Sequence, residues 1–144
     1  MSTPNLAATL FAGTAATLAM SAFASMAPLM GMPPMNPAAT LGEQMGGSLA
    51  LGWAAHLMVG DALAIGFVAV ARPRLTGPDA LRGALFAVAP WLMVQLVAMP
   101  MMGAGVFSGS AMLAMGSLVG HLLFGAVLGQ LVHVTSQPAI AVAR

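Results

Sequence analysis

The sequence predicts an all-α protein: a polytopic membrane four-helix bundle made of two tandem, similar helical hairpins. Three observations predict it. The 144 residues are 60% hydrophobic and only 5% charged, whereas soluble domains carry roughly 25% charged residues; so few charges cannot coat a soluble fold. Four apolar runs each reach the length of about 20 residues that a helix needs to cross a bilayer core. The two halves of the chain also repeat each other's glycine and histidine positions.

The runs cover about residues 5–27, 48–71, 80–101 and 110–134. Thr3 before Pro4 suits an N-cap followed by a first helical residue. Thr40 with Glu43 reads as a capping box that would start the second helix early, and Thr76 with Asp79 repeats the signal for the third. Ser108 or Ser110 can cap the fourth. Pro90, inside the third run, predicts a kink that neighbouring helices must accommodate. Arg72, Arg74 and Arg82 lie between runs two and three, and Arg144 ends the chain. The positive-inside rule then puts both termini in the cytoplasm. The outer loops, about 28–47 and 102–109, carry no basic residue. Ala22-Phe23-Ala24 resembles a signal-peptide cleavage site. The preceding segment has no lysine or arginine and its apolar stretch is long for a signal, so the first run is expected to stay as a span.

Cysteine is absent, which removes disulfides and thiolate chemistry. The charge of +1 rests on four arginines and no lysine, and there is no basic patch for nucleic acid.

HLMVGDAL in the second run matches HLLFGAVL in the fourth; FAGTAATLAM in the first matches LRGALFAVAP in the third. Gly13 and Gly83 are 70 residues apart, His56 and His121 are 65. The outer ends, MGMPPM and AMPMMG, also correspond. Repeat 1 (about 5–71) and repeat 2 (about 78–134) would share one orientation, related by an axis along the membrane normal.

That symmetry governs the histidines. His56 and His121 would both lie roughly 12–17 Å below the outer surface. An imidazole facing hydrocarbon lacks partners, so both are expected to face the bundle interior. Small residues flank each one: Gly52 and Gly60 around His56, Ser117 and Gly125 around His121. Gly60 and Gly125 either let helices pack closely, as does the Gly116, Gly120, Gly125, Gly129 series, or leave space for a flat cofactor. In the second case His56 and His121 would be axial ligands of haem b. His133 has no counterpart that can coordinate and would help end the fourth helix.

Asp61 falls in mid-span, where an ionised carboxylate costs at least ~2.5 kcal/mol. It must be protonated or paired, and Thr14 lies at a similar depth. Gln95 lies nearer the histidines and could bond one of them. A proton relay through Asp61, His121 and Gln130 competes with a purely structural role. There are 14 methionines, several at the outer end. Met32, Met35, Met99, Met101 and Met102 could offer thioethers to copper, or could simply fill irregular space. The segment MAPLMGMPPMNP is expected to be extended, and with Trp53 it would cover the bundle mouth. Trp91 should pack between helices.

No phosphate loop, dinucleotide fingerprint, metalloprotease motif or nucleophile elbow is present, so an enzyme is not expected. The stretch GHLLFGAVLG (Gly120, His121, Phe124, Gly125, Gly129) and GWAAHLMVG (Gly52, Trp53, His56, Gly60) resemble a group of small, uncharacterised bacterial four-helix inner-membrane proteins, loosely YagU-like. The resemblance implies an inner-membrane location and no particular activity. The expected role is a non-enzymatic component of the bacterial inner membrane: a structural or accessory subunit that contacts lipid and either self-associates or joins other membrane subunits. Two alternatives remain: a haem b or metal protein using His56 and His121, and a proton or small-solute pathway through Asp61.

Overall fold

A computed structural model describes residues 4–137. Thr3 and Arg144 therefore lie outside the described residues. Four helices are long and apolar enough to cross a membrane: Leu6–Met30, Leu49–Ala71, Asp79–Met101 and Ala111–Thr135. Each lies within a few residues of a predicted run. Their outward faces carry large exposed apolar side chains, among them Phe11, Leu18, Met58, Val70, Leu85, Met93 and Met115. In a membrane such a surface is solvated by lipid, so it needs no charged coat.

The first span opens with α1 (Leu6–Met26). Asn5, not Thr3, is its cap, and the Asn5 carboxamide accepts the Ala8 N–H at 2.8 Å. A 3-10 turn, Ala27–Met30, closes the span. Of the segment 26–37 expected to be extended, residues 32–36 are free of helix, while Ala27–Met30 is the 3-10 turn. The early helix start expected near Thr40 is a separate helix, α2 (Pro37–Glu43), capped by Asn36 with Pro37 at its first position. Proline is compatible with the first turn of a helix because that N–H has no intrahelical partner. Thr40 lies inside α2 and bonds back to the Asn36 carbonyl, so it is not a cap. The second span, α3 (Leu49–Gly66), is capped by Ser48 and ends in a π turn, Phe67–Ala71.

The third span begins with α4 (Asp79–Met93), which has no side-chain cap. Thr76 and Asp79 do not form the capping box the sequence suggested, because the Asp79 carboxylate is engaged by arginines. The helix continues through Pro90, widens into a π turn at Val94–Ala98 and finishes with Met99–Met101. The fourth span, α5 (Ala111–Thr135), is capped by Ser110.

The packing order is α3 on α1, α1 on α5, and α5 on α4, with α2 lying across α3. Glycines set three of these contacts. A Cβ on Gly13 would fall 2.9 Å from Ala64 Cβ, and one on Gly60 would strike Thr17. In the other hairpin, a Cβ on Gly83 would meet Gly125 and Gly129 backbone, and one on Gly125 would lie 2.1 Å from the Gly83 carbonyl oxygen and 2.8 Å from Ala87 Cβ. Gly52 makes room for α2, since a Cβ there would meet the Ala38 carbonyl oxygen at 1.9 Å. The core is thin: Ala12, Ala16, Ala64, Phe67, Ala87, Phe124, Leu128 and Val132.

The fourth seam, between α3 and the third span, is largely unpacked. It closes only where the Phe67–Ala71 turn reaches α4 and Phe67 meets Phe86, ring centroids 5.5 Å apart. The arginines sit at this closed end. At the opposite end, rich in methionine, the seam gapes.

Candidate functional site

The gap leads into a cavity of about 490 Å³. All four spans line it, together with α2 and the Met102–Ser108 loop. His56 and His121 both stand in its wall, with Met20, Phe23, Met35, Met99, Met102 and Phe124 supplying most of the apolar surface. The interior position expected for the two rings is the one observed, and each is buried.

Their hydrogen bonds fix which nitrogen of each ring is engaged and which is left over. His121 Nδ1 lies 2.8 Å from the Ser117 carbonyl oxygen. A carbonyl can only accept, so Nδ1 carries the proton. His56 Nε2 lies 3.2 Å from Ser21 Oγ, and that hydroxyl donates its one hydrogen to the Thr17 carbonyl at 2.9 Å. His56 Nε2 is therefore the donor in its pair. The other nitrogen of each ring has no protein partner among the described residues, and neither is sealed from its surroundings. Trp53 backs His56 with a ring separation of 6.2 Å.

Gln95 does not bond a histidine, contrary to expectation. The π turn at Val94–Ala98 shifts the helical register and turns this side chain inward, where it is fully buried. Its amide donates to Ser117 Oγ at 3.2 Å and its carbonyl accepts from Ser108 Oγ at 2.9 Å. Ser108 reaches Gln95 because Phe107 and Ser108 both have positive φ, 53° and 57°. Consecutive left-handed non-glycine residues are costly, on the order of 1–2 kcal/mol each. Such strain persists where surrounding contacts hold it. Here the Ser108 bond and the Phe107 ring, 6.0 Å from Trp91, hold it. Trp91 packs between helices as expected, donating to the Ala114 carbonyl.

The two glycines proposed as cofactor space differ. Both sit at close helix contacts, Gly60 against Thr17 and Gly125 against the Gly83 carbonyl; Gly60 also lines the cavity, whereas Gly125 does not. The methionines divide. Met35, Met99 and Met102 line the cavity; the Met32 and Met35 sulfurs lie against Gly116; Met101 is 82% exposed and points away. The sequence treated histidines and methionines as separate features, but the fold places them on one wall. Among the described residues no group of three or more His, Asp or Glu is arranged to hold a metal ion.

Asp61 accepts from Thr14 Oγ1 at 3.1 Å across the α1–α3 crossing, the partnership expected from depth. It does not line the cavity. Gln130 is exposed. The structure does not assemble a relay through Asp61, His121 and Gln130.

A second polar cluster was missed. At the closed end, Asp79 accepts from Arg72 Nε and Nη2 at 3.1 and 3.0 Å, from Arg82 Nη1 at 3.1 Å, and faces His133 Nδ1 at 3.0 Å. Arg72 Nη1 also donates to Ser136 Oγ at 3.0 Å. The cluster ties the ends of spans two, three and four together. One acid between Arg72, Arg74 and Arg82 was the available signal.

A bundle of four membrane-length helices enclosing a histidine-lined cavity is the class of protein that fold and site define. The chain belongs to a family of unknown function, DUF6789, whose model matches residues 4–142. No curated protein and no solved structure matches the chain.

Proposed function

We propose that the chain is a non-enzymatic, multi-pass accessory protein of the bacterial inner membrane that holds a small, largely apolar ligand between its two hairpins. One observation carries this reading: imidazoles from different hairpins, each with one unpartnered nitrogen, share the wall of one apolar cavity. Ligand sites typically combine an apolar lining with a few placed polar groups in a volume of about 300–1,000 Å³. By the positive-inside rule the four arginines support a cytoplasmic closed end with cytoplasmic termini, an orientation in which the cavity opens in the outer half of the bilayer. The matched crossings, Gly13 and Thr17 against Gly60 and Ala64, Gly83 and Ala87 against Gly125 and Gly129, support an internal duplication.

Haem b is a second reading of the same histidines. The Ser117 carbonyl on His121 Nδ1 suits an axial ligand, whose other ring nitrogen commonly bonds a carbonyl or carboxylate. Against it, haem carries two carboxylates, and no arginine or lysine lines this cavity. Copper, held by His56, His121, Met35, Met99 and Met102, would need the donors to close around an ion far smaller than the cavity.

The test is ligand retention. Protein extracted from native membranes into lipid nanodiscs should release a small molecule, seen by native mass spectrometry. His56→Phe with His121→Phe should lose it while keeping the far-UV helical signal. A Soret band that disappears in those variants would establish haem instead, and stoichiometric copper would establish the metal. Retention unaffected by the substitutions would refute the cavity reading.

A further inference from the structure

We infer that the ligand is a membrane-soluble quinol whose two ring hydroxyls donate to His56 Nδ1 and His121 Nε2. This rests on the cavity reading above and narrows it by the direction of the hydrogen bonds. Ser21 takes the proton-bearing nitrogen of His56, and the Ser117 carbonyl takes that of His121. Each ring therefore turns a lone pair, not an N–H, toward its remaining partner. Two acceptors from different hairpins in the wall of one cavity can be met by two donors on one molecule. A quinone, whose carbonyls only accept, leaves both lone pairs unmet; reduction to the quinol supplies both hydrogens. Ser117 Oγ accepts from Gln95 and keeps its own hydrogen, which a hydroxyl oxygen, acceptor as well as donor, can use.

The remaining surface fits the rest of such a molecule. Thioethers of Met20, Met35, Met99 and Met102, with Phe23 and Phe124, line the cavity, and sulfur makes favourable contacts with aromatic rings. No cationic residue lines it, so a neutral ligand is favoured over a carboxylate or phosphate. Val59, Gly60 and Leu63 on α3 face Val94, Ala98 and Met99 across the unpacked seam. A prenyl tail can leave by that route into the bilayer without crossing a polar surface.

The experiment compares oxidation states. Nanodisc-embedded protein carrying Trp91→Phe, so that Trp53 is the one remaining tryptophan, is titrated anaerobically with short-chain benzoquinol and naphthoquinol and with the matching quinones, following Trp53 fluorescence. The quinol should bind about tenfold more tightly, or more, as two net hydrogen bonds allow. His56→Phe and His121→Phe should each weaken quinol binding several-fold and leave quinone binding unchanged. His121→Gln, which supplies an N–H donor that His121 lacks, should raise quinone affinity; this gain also guards against variants that merely misfold. Equal or tighter quinone binding would overturn the inference, as would a quinol preference that survives both Phe substitutions. Failure of both forms to bind, alongside a different ligand retained in a histidine-dependent way, would overturn the quinol and leave the cavity reading standing. No histidine-dependent ligand of any kind would remove both.

Discussion

The glycines of this bundle should respond to the same substitution with opposite signs. Replacing glycine by alanine in a helix gains about 0.5–1 kcal/mol of backbone propensity wherever the methyl has room. At Gly66 it has room: the nearest atom, Phe86 Cζ, would be 4.0 Å away. At Gly125 the new Cβ would fall 2.1 Å from the Gly83 carbonyl oxygen, against at least 3.4 Å for ordinary contact. Backbone cannot rotate aside as a side chain does, so α4 and α5 must separate by more than an ångström along their principal crossing. Overpacking of this kind costs typically 1–3 kcal/mol, which outweighs the propensity gain. Gly125→Ala should therefore lower stability by about 1–2 kcal/mol net, and Gly66→Ala should raise it. For a chain near 150 residues each kcal/mol corresponds to about 4 °C. Thermal unfolding in detergent, followed by circular dichroism, would thus show a fall of about 4–8 °C for one variant and a rise of about 2–4 °C for the other. Gly120→Ala, whose Cβ would sit 3.5 Å from Met20, is the tolerated intermediate. Midpoints that move together for Gly66→Ala and Gly125→Ala would refute the claim that crossing geometry governs this bundle.

Asp79→Asn removes the countercharge of Arg72 and Arg82. Its cost should fall between the roughly 1 kcal/mol of an exposed pair and the roughly 3–5 kcal/mol of a buried one. Pairing Asp79→Leu with Arg72→Met should recover part of that loss in a denaturant titration; a double variant as unstable as the sum of the singles would count against a shared cluster. Asp61→Asn keeps an acceptor for Thr14 and should be nearly neutral, whereas Asp61→Leu should cost about 1 kcal/mol. Proton flux into liposomes should be the same for wild type and Asp61→Asn, and a drop would revive the pathway reading. The cysteine-free sequence makes topology testable with single additions. Thr76→Cys should react with an impermeant thiol reagent only from the cytoplasmic side and Gln44→Cys only from the outer side; labelling of both from one side would refute the orientation.

The spans were legible because length and apolarity are one-dimensional properties of the chain, and each was placed within a few residues. The inward direction of His56 and His121 followed from the cost of a lone imidazole in hydrocarbon. What connects distant segments was not legible. Gly60 and Gly125 mark absence of bulk, but only the neighbouring helix decides whether Thr17 or the Gly83 carbonyl fills the space. Gln95 turns to Ser108 and Ser117 because a π turn alters the register, which a 3.6-residue periodicity does not anticipate. Thr40 and Glu43 suggest only an early start to the second span; that α2 is a separate helix depends on its seat at Gly52, which lies outside it in sequence. In sequence Asp79 reads as a local cap, while its partners come from three spans.

Two hairpins joined along α1 and α5 resemble an open book, with α3 and the third span as its covers. The Arg72–Asp79 contact is a clasp at one corner of the free edge. While the clasp holds, the covers can spread only as a wedge whose width grows with distance from that corner. The 23 residues of Leu49–Ala71 extend about 35 Å at 1.5 Å per residue. A splay of about 5° therefore widens the far corner by about 3 Å over that length, nearly the thickness of an aromatic ring, while the clasped corner stays shut.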